Sequence, residues 1–243
     1  MAERTELTAK IECFDSFWEG PKDIEKGYKT FGQFYRVNYL NHVPSNKSAQ
    51  ILVISCGPGY FVNLLKEQGY TNVLGIDSLP SQVEHALKRG LNCKVMGALD
   101  ELENTQKLYD AIICEQELNH LTKKEMVSFL NLVWEKLNES GRLICHGLNG
   151  ANPIVGAETL AQNFDHFNTF TAYSLKQVLE YCRFKDVQPF PLHLYVFYKN
   201  PMNYVAWGVS SLLSLAFWSL FILYGKSNRI FTKKIAAVAV KRS

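Results

Sequence analysis

The chain has no Cys-x-x-Cys pair and no cysteine set at metal-ligand spacing; its six cysteines stand apart at positions 13, 56, 93, 114, 145 and 182. That argues against structural zinc and dithiol redox chemistry. It fits buried free thiols in a reducing, cytoplasmic compartment. Excess charge is missing as well. A net charge of +3 and a pI near 8.4, with cations scattered until the C-terminus, are too mild for a nucleic-acid surface, so no nucleic-acid partner is expected. The opening MAERTELTAK holds no apolar run, so no secretory signal is expected. There is no internal repeat and no low-complexity tract. What is present is 47% hydrophobic content in 243 residues, enough for one α/β core with attachments.

Residues 51–77, ILVISCGPGYFVNLLKEQGYTNVLGID, organise the rest. Ile51 to Ile54 is too short for a helix and has the β-branched character of a strand covered on both faces. Gly57 and Gly59 then permit a sharp turn and close approach of a ligand to the main chain. Phe61, Leu64 and Leu65 recur at helical spacing, Gly69 stops that helix, and Val73 to Ile76 forms a second strand ending in Asp77. Asp77 lies twenty positions after Gly57, the spacing at which a doubly wound sheet sets a carboxylate against ribose hydroxyls. The turn lacks two things. Val62 stands where a dinucleotide fingerprint has its third glycine, and no Gly-Lys-Ser or Gly-Lys-Thr follows for a triphosphate.

Before this unit, residues 11–43 are rich in aromatics. Phe31, Phe34, Tyr35 and Leu40 are expected on one helical face, as a lid or flank on the sheet. Tyr28 and Tyr35 are retained as pocket candidates. After it, strand and helix alternate: a helix from Pro80, a strand at Cys93–Met96, then Gly97 to Asp100, and a strand at Tyr109–Cys114. Thr122 and Glu125 form a capping box before the stripe Met126, Phe129, Leu130, Val133 and Leu137, and Gly141–His146 is a fifth strand. Such alternation requires parallel strands with helices on both faces, and the ligand then lies beyond the strands' C-terminal ends.

A C-G-x-G turn with an acid after the second strand resembles the class I S-adenosylmethionine-dependent methyltransferases, whose cofactor has no phosphate to cradle. The resemblance implies a doubly wound, mostly parallel seven-stranded sheet of Rossmann-like α/β class. Its parts would be an N-terminal helical cap (1–45), a core (46–198), an apolar helical insertion (199–230) and a final strand (231–243). It implies S-adenosyl-L-methionine as cofactor, held by Ser55, Cys56, Gly57, Gly59, Asp77, Ser78, Asp100, Glu115 and Gln116. The blocks GYTNVLGID, LNESGRLICHGLNGANP and HFNTFTAYSLKQVLEYCRFKDV are similar to a bacterial subgroup found with glycan, lipopolysaccharide or capsule biosynthesis. A sugar, glycan or other small-molecule acceptor follows from that likeness. Two departures bear on affinity: Val53 stands where the family has Asp, and Ser55 where it has Gly. They motivate a second reading, a non-catalytic partner protein on the same fold. A third, nucleic-acid methylation, is weakened because no Asn/Asp-Pro-Pro-Tyr/Phe motif is present.

The segment after the fourth strand also resembles ubiquinone-pathway O-methyltransferases, where Glu-x-x-Glu-His can bind magnesium. Gln116, Asn119 and His120 occupy those positions, and two amides with one imidazole make a poor magnesium site, so no metal is expected. Methyl transfer to a hydroxyl needs a base, for which histidine suits neutral pH. His166, beside Asp165 and within a family block, is the first choice; His120 is the second. His146, Asn149, Asp165 and Tyr35 complete the acceptor-side candidates.

Finally, Asn200 to Gly225 carries no charge and is long enough to span a bilayer. Strands expected at Val187–Phe190 and Ile235–Val240 would hold both its ends on one side. Residues 201–224 are therefore expected to make peripheral contact with the inner face of a membrane or a homodimer contact, the alternative being a helix packed on its own domain.

Overall fold

A computed structural model describes residues 21–114, 117–161, 166–194 and 200–242. Seven strands form one sheet: β1 (Ile51–Ile54), β2 (Val73–Asp77), β3 (Cys93–Val95), β4 (Tyr109–Cys114), β5 (Leu137–Leu148), β6 (Lys185–Leu192) and β7 (Lys234–Val240). Their order is β3-β2-β1-β4-β5-β7-β6. The first five pair in parallel, and β7 runs antiparallel between β5 and β6. Strand order reverses between β1 and β4, so the crevice at their C-terminal ends is where a ligand is expected.

Alternate strand residues serve opposite faces, and both faces are covered, which is why the central strands read as unbroken apolar runs. Ile51, Val53, Ala111, Ile113 and Ile144 pack beneath α1 (Pro21–Asn38), α2 (Tyr60–Glu67) and α3 (Pro80–Lys88). Leu52, Ile54, Ile112, Leu143 and Cys145 pack against α6 (Lys123–Lys136) and α8 (Ala172–Tyr181). The expected capping box opens α6: the Glu125 N–H donates to the Thr122 hydroxyl and the Thr122 N–H to the Glu125 carboxylate. Its expected stripe, Met126 to Leu137, is buried.

Three details go beyond the sequence pattern. The segment around Asp100 forms a short helix, α4 (Ala98–Asn104), and buried Glu101 there accepts a hydrogen bond from the Tyr109 hydroxyl. Strand β6 extends across Pro189 and Pro191, tolerable because it is the sheet edge and needs donors on one side only. On α1 the expected face is the one that packs: Tyr35 is buried, Phe34 and Leu40 rest on the core, and Phe31, 37% exposed, stacks on Tyr60 at 4.9 Å, with Tyr28 buried beside it.

Two more short helices, α5 (Glu117–His120) and α7 (Gly156–Ala161), sit at the strand ends. The apolar stretch forms α9 (Met202–Leu223), and none of its residues is buried. The helix touches its own domain along one face, where Phe217 and Phe221 meet Phe231, without being buried in it.

Candidate functional site

Between β1 and α2 the chain turns through two left-handed glycines, Gly57 at φ 52° and Gly59 at φ 81°. They do different work. A Cβ on Gly57 would meet nothing within 4 Å, so the main chain there borders open space. A Cβ on Gly59 would come within 2.8 Å of Leu91 and 3.1 Å of Ala86. Gly59 thus lets α2 settle on the core, while Gly57 is the glycine that borders the open space. The dinucleotide fingerprint's third glycine has a substitute here as well. Opposite Val62, strand β2 carries Gly75, where a Cβ would lie 2.9 Å from the Val62 side chain and 2.8 Å from Cys56. The small residue has moved from helix to strand, a signal the spacing search did not use.

Asp77 closes the turn. Its Oδ2 accepts the Gly57 N–H at 2.8 Å and its Oδ1 accepts the Leu79 N–H at 2.9 Å. A carboxylate fixed in this way at the end of β2 offers the acceptor chemistry that adjacent ribose hydroxyls need. Ser78 follows it, half-buried. From α1, the Tyr28 hydroxyl donates to the Pro58 carbonyl at 2.6 Å, tying the helical cap to the turn. Burial pushes that phenol up to about 12, against a lowering by Arg89, which lies over its ring. Buried Cys56 is pushed well above the usual thiol value, first by its hydrogen bond with Cys93 and then by burial, so it lines the turn as a neutral group.

The two departures have visible consequences. Val53 is 2% exposed within the apolar layer and supplies packing, not a carboxylate. Ser55 has φ 52°, a left-handed conformation that explains the family's glycine and that costs a non-glycine residue about 1 kcal/mol or more. Ser55→Gly is expected to raise the melting temperature by roughly 2–4 °C. Calorimetric unfolding checks this, and an unchanged or lower midpoint would mean that the serine side chain compensates fully.

At the neighbouring strand ends, α5 and the segment before α8 are joined by the Asn119 carbonyl, which accepts the Phe167 N–H at 2.8 Å. This brings His120 and His166 together, rings edge to face at 5.0 Å. The His166 Nδ1 lies 2.8 Å from the Thr159 carbonyl. A carbonyl only accepts, so Nδ1 carries the proton and Nε2 the lone pair a base requires. His120 is 3% exposed, the more enclosed of the two. Glu115, Gln116 and Asp165 lie outside the described residues. Among those described, no cluster of three or more His, Cys, Asp or Glu could hold a metal ion.

Four other candidates are corrected. Asp100 is exposed on the first turn of α4 while Met96, Ala98 and Leu99 pack inward. Tyr35 is core: its ring stacks on Phe61 at 4.7 Å. Asn149 is fully buried, its amide donating to the carbonyls of Ile230 and Thr232 and its Oδ1 accepting the Ala151 N–H. His146 is 2% exposed and hydrogen-bonded through Nδ1 to the Tyr39 hydroxyl.

Burial, aided by the charge of Lys234, holds the His146 imidazole well below its usual value, so it is neutral when folded. The unfolded chain binds this proton more readily. Stability is therefore complete above pH 6.5 and falls as the pH drops toward the folded value, by up to about 1.4 kcal/mol per pH unit. Denaturant titrations between pH 7.5 and 5 should show that slope. His146→Gln should reduce it, leaving the part due to His42, which burial and then Arg142 also hold below the usual value, and an equal slope in the variant would assign the effect elsewhere.

A methyltransferase-domain family model matches residues 51–141, from β1 into β5. A ubiquinone biosynthesis O-methyltransferase of Rickettsia prowazekii is 34% identical over 134 residues, covering 49% of this chain and 52% of that protein. Its counterpart from Rickettsia akari is 33% identical over 157 residues, covering 58% and 59%. The chain thus spans little more than half the length of these curated relatives. Among solved structures, an S-adenosylmethionine-dependent methyltransferase from Archaeoglobus fulgidus superposes with a TM-score of 0.64 at 20% identity, over 88% of this chain and 94% of that one. The fold is that of the class I methyltransferases, with β7 and the preceding helix in place.

Proposed function

We propose that this chain, built on a class I methyltransferase domain, binds S-adenosylmethionine across the Gly57–Asp77 turn and transfers its methyl group to a hydroxyl of a small-molecule acceptor. The observation that carries the reading is the clamp itself. An open left-handed glycine borders the crevice where strand order reverses, and its N–H is held by the carboxylate that ends β2, twenty positions on. S-adenosylmethionine supplies an electrophilic methyl on a sulfonium. The residues supply orientation and a proton acceptor: Asp77 holds the ribose, Gly57 gives close approach, and His166 Nε2 takes the acceptor's proton as attack proceeds. Oxygen as the acceptor atom is supported by relatives that carry O-methyltransferase names. A sugar hydroxyl is one such acceptor, in line with the similarity of the 137–153 and 166–187 blocks to glycan-associated enzymes. Retention of the glycine clamp and the histidine pair favours catalysis over a purely structural partner role.

The test is incubation with methyl-labelled S-adenosylmethionine and panels of sugar, phenolic and other hydroxyl acceptors. Transfer to an O-methyl product is the expected result. Cofactor binding with no transfer to any panel, together with transfer to an amine, would overturn the oxygen assignment.

A further inference from the structure

We infer that α9 is a docking surface for the leaflet of an anionic bilayer, in which it lies without crossing. The helix has 22 residues, and its most apolar 18-residue window has a mean hydropathy of 1.8 with none of that window buried. Asn203, Ser210, Ser214, Phe217 and Phe221 share the one half-covered face, where the Phe217 and Phe221 rings meet Phe231 at 6.0 and 4.9 Å. The opposite half presents Val205, Val209, Leu212, Leu213, Leu220 and Leu223, exposed by 41% to 81%. Ser211, Ser214 and Ser219 donate their hydroxyls to carbonyls four residues back, so entering hydrocarbon leaves these three without a broken bond.

Charge selects the occupant. From Val187 to the C-terminus there is no Asp or Glu; all seven charged residues are Lys or Arg, whereas the preceding part holds all 23 acidic residues and only 19 cations. Lys226 and Arg229, both exposed, stand directly after the helix. A second copy of the chain docked here through a twofold contact would set two such acid-free, cationic segments together. It would also cover only a stripe of a face that runs halfway round the helix. A negatively charged leaflet matches the cations and surrounds the whole apolar half.

Topology rules out a crossing. Leu192 of β6 pairs with Lys234 of β7, so both connections leave one edge of the sheet. The return segment is fastened there: the Asn149 amide donates to the carbonyls of Ile230 and Thr232, and Asn152 to that of Phe231. Crossing would drag the irregular stretch 224–233 through hydrocarbon with its backbone groups unsatisfied. Asn149 and Asn152 thus anchor the root of the docking helix. That root is at the edge where β5 ends, the same edge as Gly57.

Flotation of the full chain with vesicles of phosphatidylcholine, alone or mixed with phosphatidylglycerol, tests this. The expected result is co-flotation with the mixed vesicles that weakens with salt. Leu212→Asp with Leu223→Asp should remain at the bottom of the gradient with an unchanged circular dichroism spectrum. Lys226→Gln with Arg229→Gln should lower the partition coefficient on anionic vesicles by roughly thirtyfold. The idea is overturned if the wild type fails to float with either vesicle, if both substituted proteins float as well as the wild type, or if a concentration-dependent dimer forms instead and is lost in the leucine variant. Binding of S-adenosylmethionine in vesicle-free solution, measured separately, keeps failure of the catalytic reading distinguishable from failure of docking.

Discussion

His166→Ala is expected to lower turnover roughly a hundredfold or more while leaving S-adenosylmethionine affinity within a few-fold of wild type, because a positioned base contributes about that much to the chemical step and nothing to cofactor binding. The Thr159 carbonyl fixes the imidazole tautomer and orients the ring. His120 packs edge to face against it, ring centroids 5.0 Å apart. If the two act as one unit, removing both should cost little more than removing His166 alone. The check is kcat with whichever acceptor the labelled-cofactor panel returns, measured beside direct cofactor binding. Near-normal turnover in the single variant would move the role to His120 or leave proximity as the main catalytic effect.

Asp77→Ala is expected to weaken cofactor binding by about ten- to a hundredfold, the worth of charge-assisted hydrogen bonds of roughly 1.5–3 kcal/mol. The substitution also strips acceptors from the N–H groups of Gly57 and Leu79, so part of the loss arises from a loosened turn. Asp77→Asn separates the two contributions only in part, since its NH2 must face one of those donors. Thermal unfolding without cofactor measures the cost to the turn, and the shift of the midpoint by saturating S-adenosylmethionine measures the cost to binding. Unchanged affinity in Asp77→Ala would sink the assignment.

The turn was legible because its chemistry is local. Glycine spacing, an apolar strand of four and a terminal acid all lie within 27 residues, and the helix cap at Thr122 is equally local. What escaped depends on distant partners. Gly59 and Gly57 look alike in sequence, and only the approach of Leu91 and Ala86 shows that one serves packing and the other the crevice. His146, Asn149 and Tyr35 have the residue types of a binding site. Each is spent on a contact far along the chain: Tyr39 for His146, Ile230 and Thr232 for Asn149, and Phe61 for Tyr35. The apolar helix was visible as composition, and the pairing of β6 with β7 that holds both its ends on one side was legible from the two short apolar runs that flank it. Asp100 was misplaced because the seven residues from Ala98 give a helix too short for periodicity to reveal.

The central claim is that the Gly57–Asp77 clamp is a ribose site. A crystal structure of the wild-type chain with S-adenosylhomocysteine tests it most directly. The account predicts both ribose hydroxyls within hydrogen-bond distance of the Asp77 carboxylate, with the nucleoside lying over Gly57. A ribose placed elsewhere, beyond hydrogen-bond distance of the Asp77 carboxylate, would contradict it.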